Sequence, residues 1–323
     1  MTHAIRVHKP GGPEVLQWEE ISLGNPGQGE IRLRHTAVGL NFIDVYHRTG
    51  LYPTPLPFIP GMEGAGTVEA VGEGVTDLRP GDRVAYAGVI GGYAEARLIA
   101  ADRVVKLPET IGDEVAAAMM LQGMTVQYLI RKVYPVKAGD TILIHAAAGG
   151  VGLILCQWAS SLGATVIGTV SSDEKAALAH ANGCHHTIIY TREDFQARVL
   201  EITGGTKLPV VYDSIGKDTF LKSLDCLRPR GMMVTFGQAS GPVGPIDLGI
   251  LGQKGSLVVT RPTLQSFIAT RAELIETAND LFDVVGNGTV KIAVNQTYAL
   301  KHAADAHADL EARKTTGSTV IKI

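Results

Sequence analysis

Residues Thr141–Ser172 read TILIHAAAGGVGLILCQWASSLGATVIGTVSS, and the order of residue types in that run decides the fold. An apolar strand, TILIHA, meets a turn of small residues, Ala147-Ala148-Gly149-Gly150-Val151-Gly152. A helix starts on those glycines, and a second apolar strand, TVIGTV, follows it. The turn fits A-x-G-x-x-G, with Ala147 where the usual first glycine stands. Residues this small let the main chain approach a ligand, and the amides of a helix start favour a phosphate. A tight turn with no ligand is the alternative. The strand–turn–helix–strand setting selects a dinucleotide site.

The exit of the second strand bears on which dinucleotide. A carboxylate there binds the ribose 2′-hydroxyl and repels a 2′-phosphate. Ser171 and Ser172 stand at that exit with Lys175 close behind, and all three suit a phosphate. Asp173 and Glu174 complicate this, although they read as the cap and first-turn acids of the next helix. The expected cofactor is NADPH rather than NADH.

Working outward, the middle domain, residues 123–264, repeats the strand–helix unit from residue 141, which predicts a doubly wound parallel sheet. Helices are expected over DEKAALAHANG, EDFQARVLEITGG and DTFLKSLDCLRPRG, and strands over TIIY, PVVYDSI, MMVTFG and SLVVTR. Ligands bind such sheets beyond the carboxyl ends of the strands, here His145–Ala148, Val170–Ser172, Tyr190, Asp213–Ser214, Phe236–Gly237 and Thr260–Arg261. Residues 1–122 instead alternate short β-rich runs with Gly/Pro turns, which predicts a small bent barrel. Between them, EVAAAMMLQGMTVQYLIRKV has helical character with Gly123 interrupting. In the tail, RAELIETANDLFDVVGNGTV and ALKHAADAHADLEARK read as helices. STVIKI is too hydrophobic to dangle, so residues 265–323 are expected to rejoin the first domain and make it discontinuous.

Composition excludes several function classes. The hydrophobic fraction is 45%, the charged fraction 19% and the formal net charge −3. A general nucleic-acid binder shows a basic excess instead. No run approaches a bilayer-spanning length, and MTHAIRVHKPGG lacks a signal-peptide core. Cys156, Cys184 and Cys226 are odd in number and far apart, which suits a reducing cytoplasm. The histidines show no metal-ligand spacing, and in the one pair, His185-His186, strand neighbours would face opposite ways. No metal is expected. No G-x-S-x-G or Cys-x-x-Cys supports covalent catalysis. For chemistry there remains a loop, Asn41 to Tyr52, gathering Asn41, Asp44, Tyr46, Arg48 and Tyr52. Its tyrosines could wall a flat pocket or hydrogen-bond a substrate oxygen, or be ordinary loop aromatics.

GLNFIDVYHRTGLYP, PGMEGAGTVEAVGEGV, HAAAGGVGLILCQWA, VVYDSIGKDTF and GILGQKGSLVVTRPTL carry a resemblance that covers nearly the whole chain. The chain resembles the zinc-independent, zeta-crystallin-like quinone oxidoreductases of the medium-chain dehydrogenase/reductase superfamily. Zinc-dependent relatives have G-H-E where this chain has Gly61-Met62-Glu63, and a cysteine ligand near Asn41; both ligands are absent here. The resemblance implies a GroES-like barrel (1–122 and 265–323) plus a Rossmann domain (123–264), with the cofactor in the cleft between them. It implies pyrophosphate on Gly149, Gly150 and Val151, and the 2′-phosphate among Lys175, Tyr190 and Arg313, near Ser171 and Ser172. The nicotinamide end would meet Phe236, Gly237, Thr260, Pro262, Thr263 and Leu264, with Asn41, Phe42 and Tyr46. Tyr128 matches a further cofactor contact. Tyr46 and Tyr52 become pocket residues beside Asn41, and a homodimer is implied, through the sheet edge near SLVVTR.

The expected reaction is hydride transfer from NADPH to a quinone. A quinone gains aromaticity on reduction, so positioning and weak polarisation of its carbonyl suffice. Two rivals stand beside it. One is an enone or alkenal reductase on the same scaffold; the other is a cofactor-binding protein with an RNA-binding or bulk structural role.

Overall fold

The computed structural model describes residues 2–323. Short β-rich runs form β1 (Thr2–Arg6), β2 (Gln17–Ile21) and β3 (Glu30–Leu40), after which Asn41 caps α1 (Phe42–Arg48). There follow β4 (Glu63–Val71), β5 (Arg83–Ala87), β6 (Ala96–Ala100) and β7 (Val105–Lys106). The helical stretch after them divides into α2 (Asp113–Ala117) and α3 (Met120–Tyr128), and ends in a wider π-helical turn, Leu129–Val133. Gly123 does not interrupt α3. A Cβ there would press on the Leu281 side chain, so the glycine serves close packing.

The middle of the chain supplies β8 (Thr141–Ile144), α4 (Gly150–Ser161), β9 (Thr165–Val170), α5 (Asp173–Ala181) and β10 (His186–Ile189). It continues through α6 (Phe195–Ile202), β11 (Leu208–Asp213), α7 (Phe220–Asp225), β12 (Leu227–Thr235), α8 (Gly249–Gln253) and β13 (Val258–Thr260). These six strands lie in the order β10-β9-β8-β11-β12-β13, every pair parallel. The order reverses between β8 and β11, which opens a crevice at their carboxyl ends. Leu143, Ile167, Val211 and Met233 fill the core against Phe195 and Leu224 from the helices. Two sequence expectations fail here. The helix expected over residues 218–231 stops at Asp225, because Leu227 pairs with Leu208 in the sheet and Pro229 has no amide to continue a helix. His185 lies outside β10, and its Nδ1 accepts the Val166 amide at 3.1 Å.

The tail adds α9 (Arg271–Gly286), β14 (Val294–Ala299), α10 (Ala303–Glu311) and β15 (Ser318–Lys322). As its hydrophobicity requires, β15 joins a sheet, antiparallel to β3 and parallel to β14. That sheet runs β14-β15-β3-β4-β5-β7, with β6 also on β3, while β1 and β2 pair separately. Two compact units result. One comprises Met1–Met124, Ile268–Asn287 and Ile292–Ile323; the other comprises Thr125–Phe267 and Gly288–Lys291. Among the described residues no helix is long and apolar enough to cross a membrane.

Candidate functional site

In the second unit, the turn after β8 is built for main-chain approach. Ala146 takes the left-handed region at φ 57°, and the Ala147 amide pins the turn to Thr169 O at 3.0 Å. A Cβ at Gly152 would strike the carbonyl oxygens of both Ala146 and Ala147, the latter at 2.6 Å. One at Gly168 of β9 would meet the Ala147 side chain at 2.5 Å. Gly149 differs: a Cβ there meets only Ala146 O, at 3.3 Å. As N-cap of α4, Gly149 offers no side chain to the first-turn amides. Uncapped amides at the positive end of a helix, with space at Gly149, fit a pyrophosphate on Gly149, Gly150 and Val151.

The register Val170↔Ile189 sets Ser171 and Ser172 beside Tyr190, whose amide donates to Val170 O at 3.1 Å. Ser172 is the cap of α5, its Oγ accepting the Lys175 amide at 3.3 Å. Asp173 is therefore the first helical residue rather than the cap. Its two oxygens accept from Arg192 at 2.6 and 2.9 Å, and Glu174 shares a hydrogen bond with Ser172. The acid that argued against a 2′-phosphate has its charge balanced by a neighbour. Arg192 escaped the sequence reading because no periodicity links it to Asp173. Arg313 belongs to the other unit, just past α10, with φ 59°.

At the crevice, Asp213 is fully buried and saturated: Oδ1 accepts the amides of Ile215 and Gly216 at 2.7 and 3.2 Å, and Oδ2 accepts the Thr219 hydroxyl at 2.9 Å. Its carbonyl accepts the Phe236 amide at 2.8 Å. From beyond β13, Arg261 donates to Thr235 O at 3.0 Å and Gly237 O at 3.2 Å. The Phe236-Gly237 main chain is thus fixed from both sides. The sequence places Arg261 at a strand end, but its role as a clamp on Phe236-Gly237 is revealed only by the β12–β13 pairing. Thr260, Pro262, Thr263 and Leu264 lead on to Phe267, which stacks on Tyr128 with centroids 4.5 Å apart. Burial pushes the Tyr128 phenol upward.

In the first unit, the Asn41–Tyr52 segment holds the helix α1 over Phe42–Arg48, where the sequence admits one or two helical turns. A capping box between Asn41 and Asp44 starts α1, with the Asn41 amide donating to Asp44 Oδ2 at 2.9 Å. The Tyr46 ring lies 6.3 Å from Phe42 and 5.2 Å from Tyr52, so three aromatics gather on this segment. Beneath them runs a buried polar network. Arg48 donates to both Glu311 oxygens at 2.9 Å, to Gly11 O and to His307 Nδ1. Arginine can only donate, so His307 carries its proton on Nε2 and passes it toward the Tyr93 hydroxyl. Tyr93 in turn donates to Asp44 at 3.0 Å. Glu63, Gln122 and Ser318 form a second branch at Asn41.

These groups carry a pH dependence with a defined sign. Burial raises the Asp44 carboxyl to about 7 and the Glu63 carboxyl to about 8, against opposing hydrogen bonds. Their stabilisation is present in acid and is lost as pH rises through those values. Burial lowers His35 and His307 to about 3, so their contribution is present above the unfolded value of 6.5 and lost in acid. The two effects oppose each other below that value, and only the carboxyls act above it. Thermal melts are expected to show Tm falling between about pH 6.5 and 8.5, less steeply in Asp44→Asn. A Tm rising across that window contradicts this assignment.

A family model described as "Alcohol dehydrogenase GroES-like domain" matches residues 27–109, and one described as "Zinc-binding dehydrogenase" matches residues 150–284. A quinone oxidoreductase of Pseudomonas aeruginosa is 55% identical over 323 residues, covering 99% of each chain. A 2-haloacrylate reductase of a Burkholderia species is 50% identical over 333 residues, again covering 99% of each. The crystal structure of Escherichia coli quinone oxidoreductase complexed with NADPH superposes with a TM-score of 0.98, at 51% identity and full coverage of both chains.

Proposed function

The chain belongs to the quinone oxidoreductase family of the medium-chain dehydrogenases/reductases, and on that premise we propose that it reduces a quinone with NADPH. It is an oxidoreductase of Rossmann plus GroES-like architecture. The observation that carries the cofactor reading is the uncapped glycine turn joined to a strand exit whose nearest acid is ion-paired. Bound NADPH supplies the hydride. Gly149, Gly150 and Val151 are proposed to hold its pyrophosphate, and Ser171, Ser172, Lys175, Tyr190 and Arg313 its 2′-phosphate. Phe236, Gly237, Thr260, Pro262, Thr263 and Leu264, with Tyr128, are proposed to orient the nicotinamide end. From the first unit, Asn41, Phe42 and Tyr46 are proposed as further cofactor contacts, and Asn41, Tyr46 and Tyr52 are also proposed to line the pocket that faces the acceptor. The proposed reaction uses no metal, because an amide and a thioether, Asn41 and Met62, stand where zinc-dependent relatives have ligands. A cytoplasmic homodimer completes the proposal: the three cysteines are free and buried, and β13 is a sheet edge with Val258 exposed.

NADPH and NADH oxidation with a benzoquinone tests this. We expect quinone-dependent turnover and a preference for NADPH. Lys175→Ala should raise KM for NADPH about tenfold, the worth of one charge-assisted contact, and leave KM for NADH unchanged. An unchanged KM for NADPH would remove Lys175 from the site. The 2-haloacrylate reductase relative supports a second reading, reduction of an activated carbon–carbon double bond. Faster turnover of a linear enal than of benzoquinone would favour it.

A further inference from the structure

Within the first unit, four side chains form a single hydrogen-bond chain with a direction. The Ser318 hydroxyl donates to Gln122 Oε1 at 2.7 Å, Gln122 Nε2 donates to Asn41 Oδ1 at 3.0 Å, and Asn41 Nδ2 donates to Glu63 Oε1 at 2.6 Å. Glu63 Oε2 is occupied separately by the Leu121 amide at 2.7 Å. Glu63 is fully buried, Ser318 nearly so, and Asn41 and Gln122 are under a tenth exposed. In this direction Glu63 accepts from Asn41 and from the Leu121 and Met120 amides, and is a carboxylate.

The same four side chains support the opposite direction. With a proton on Oε1, Glu63 donates to the Asn41 carbonyl, Asn41 donates to the Gln122 carbonyl, and Gln122 donates to Ser318 Oγ. Both carboxamides turn over by half a rotation, at the cost of the acceptor that Gln122 gives the Ser318 hydroxyl and of the bond that the Asn41 side-chain oxygen accepts from the Asp44 amide. Asn41 has one N–H more than the chain uses, and turning the amide moves that N–H to its other side. We propose that Glu63 is a positioning residue: its state sets which way the Asn41 carboxamide faces, and so whether Asn41 offers an N–H to the carbonyl of the acceptor.

Burial brings the Glu63 carboxyl up to about 8, so both directions are accessible near neutrality. The titratable groups facing Glu63 are Asp44 on α1, Tyr86 on β5 and Tyr93 beyond it. Behind them stand Arg97 and His35 at Tyr86, and Arg48 and His307 at Tyr93. The α3 and β15 sides present the Leu121 amide, Gln122 and Ser318.

Glu63→Gln tests the inference, which rests on the reading of Asn41 as an acceptor contact. The Leu121 amide must take the oxygen of the new carboxamide, so its NH2 faces Asn41 and locks the reversed direction. We expect a folded enzyme with a somewhat lower Tm, and kcat/KM for benzoquinone lowered about tenfold. That deficit should widen from about pH 6.5 to 9, because the wild type leaves the reversed form as Glu63 ionises. Combining Glu63→Gln with Gln122→Glu keeps the wild-type charge and the reversed direction, and should show the same loss if the single variant does not fold. Wild-type kcat/KM in either folded variant overturns the inference. Asn41→Ala separates the levels: a deficit there beside an active Glu63→Gln sinks this inference alone, whereas an unaffected Asn41→Ala sinks the underlying reading too.

Discussion

Replacing Gly152 by alanine is expected to destabilise the protein by about 3 kcal/mol and to weaken NADPH binding more than tenfold. The added methyl would point at two main-chain oxygens, those of Ala146 and Ala147, and neither can rotate aside as a side chain would. Relief requires α4 to move away from β8, which carries the first-turn amides away from the proposed pyrophosphate position. Gly149→Ala is the matched control. Its methyl meets one oxygen at 3.3 Å, and the residue already has an extended conformation that alanine adopts freely. Denaturant melts and fluorescence titration with NADPH should therefore separate the pair: both properties fall in Gly152→Ala, and Gly149→Ala keeps its fold. Equal stability of the two variants would refute the packing argument.

Arg48→Met should cost on the order of 3–5 kcal/mol, as removing one partner of a buried charged network does. The guanidinium is 1% exposed and serves four acceptors on two segments: Gly11 O near the N-terminus, and His307 Nδ1 and both oxygens of Glu311 on α10. Its loss strands the His307 acceptor and loosens α10 from the end of α1, the helix that carries Tyr46. Arg83→Met provides contrast. Its pair with Asp113 involves a side chain 35% exposed, and such pairs contribute about 0–1 kcal/mol. Urea unfolding of the two variants decides the point, and equal midpoints would place Arg48 among ordinary surface cations.

The parts of the site that a sequence reader could find are those whose causes are local. The 147–152 turn shows itself because strand, small residues and helix are consecutive, and the Ser171-Ser172 exit lies a fixed step from it. The groups that were missed act across distance. Gln122 meets Asn41 from 81 positions away, and Glu311 meets Arg48 from 263. Arg192, and the clamp role of Arg261 at its strand end, depend on which strands lie side by side. Nothing in either arginine's neighbours marks it as a clamp. The 218–231 segment misled for the opposite reason: Phe220–Asp225 has real helical character, but Pro229 and the pull of the Leu208–Leu227 pairing end it early.

One feature of the first unit bears on how the chain is made. Its β3 pairs with β4 and β6 from the early chain and with β15, which is completed only at Lys322. The second unit, by contrast, draws nearly all its residues from one continuous stretch. During synthesis on the ribosome the second unit can therefore close while β3 still waits with an open edge at Ala37–Leu40. A nascent chain stopped short of Ser318 would carry a finished nucleotide-binding sheet beside an unfinished one, and that unpaired edge is where chaperone contact or aggregation would begin.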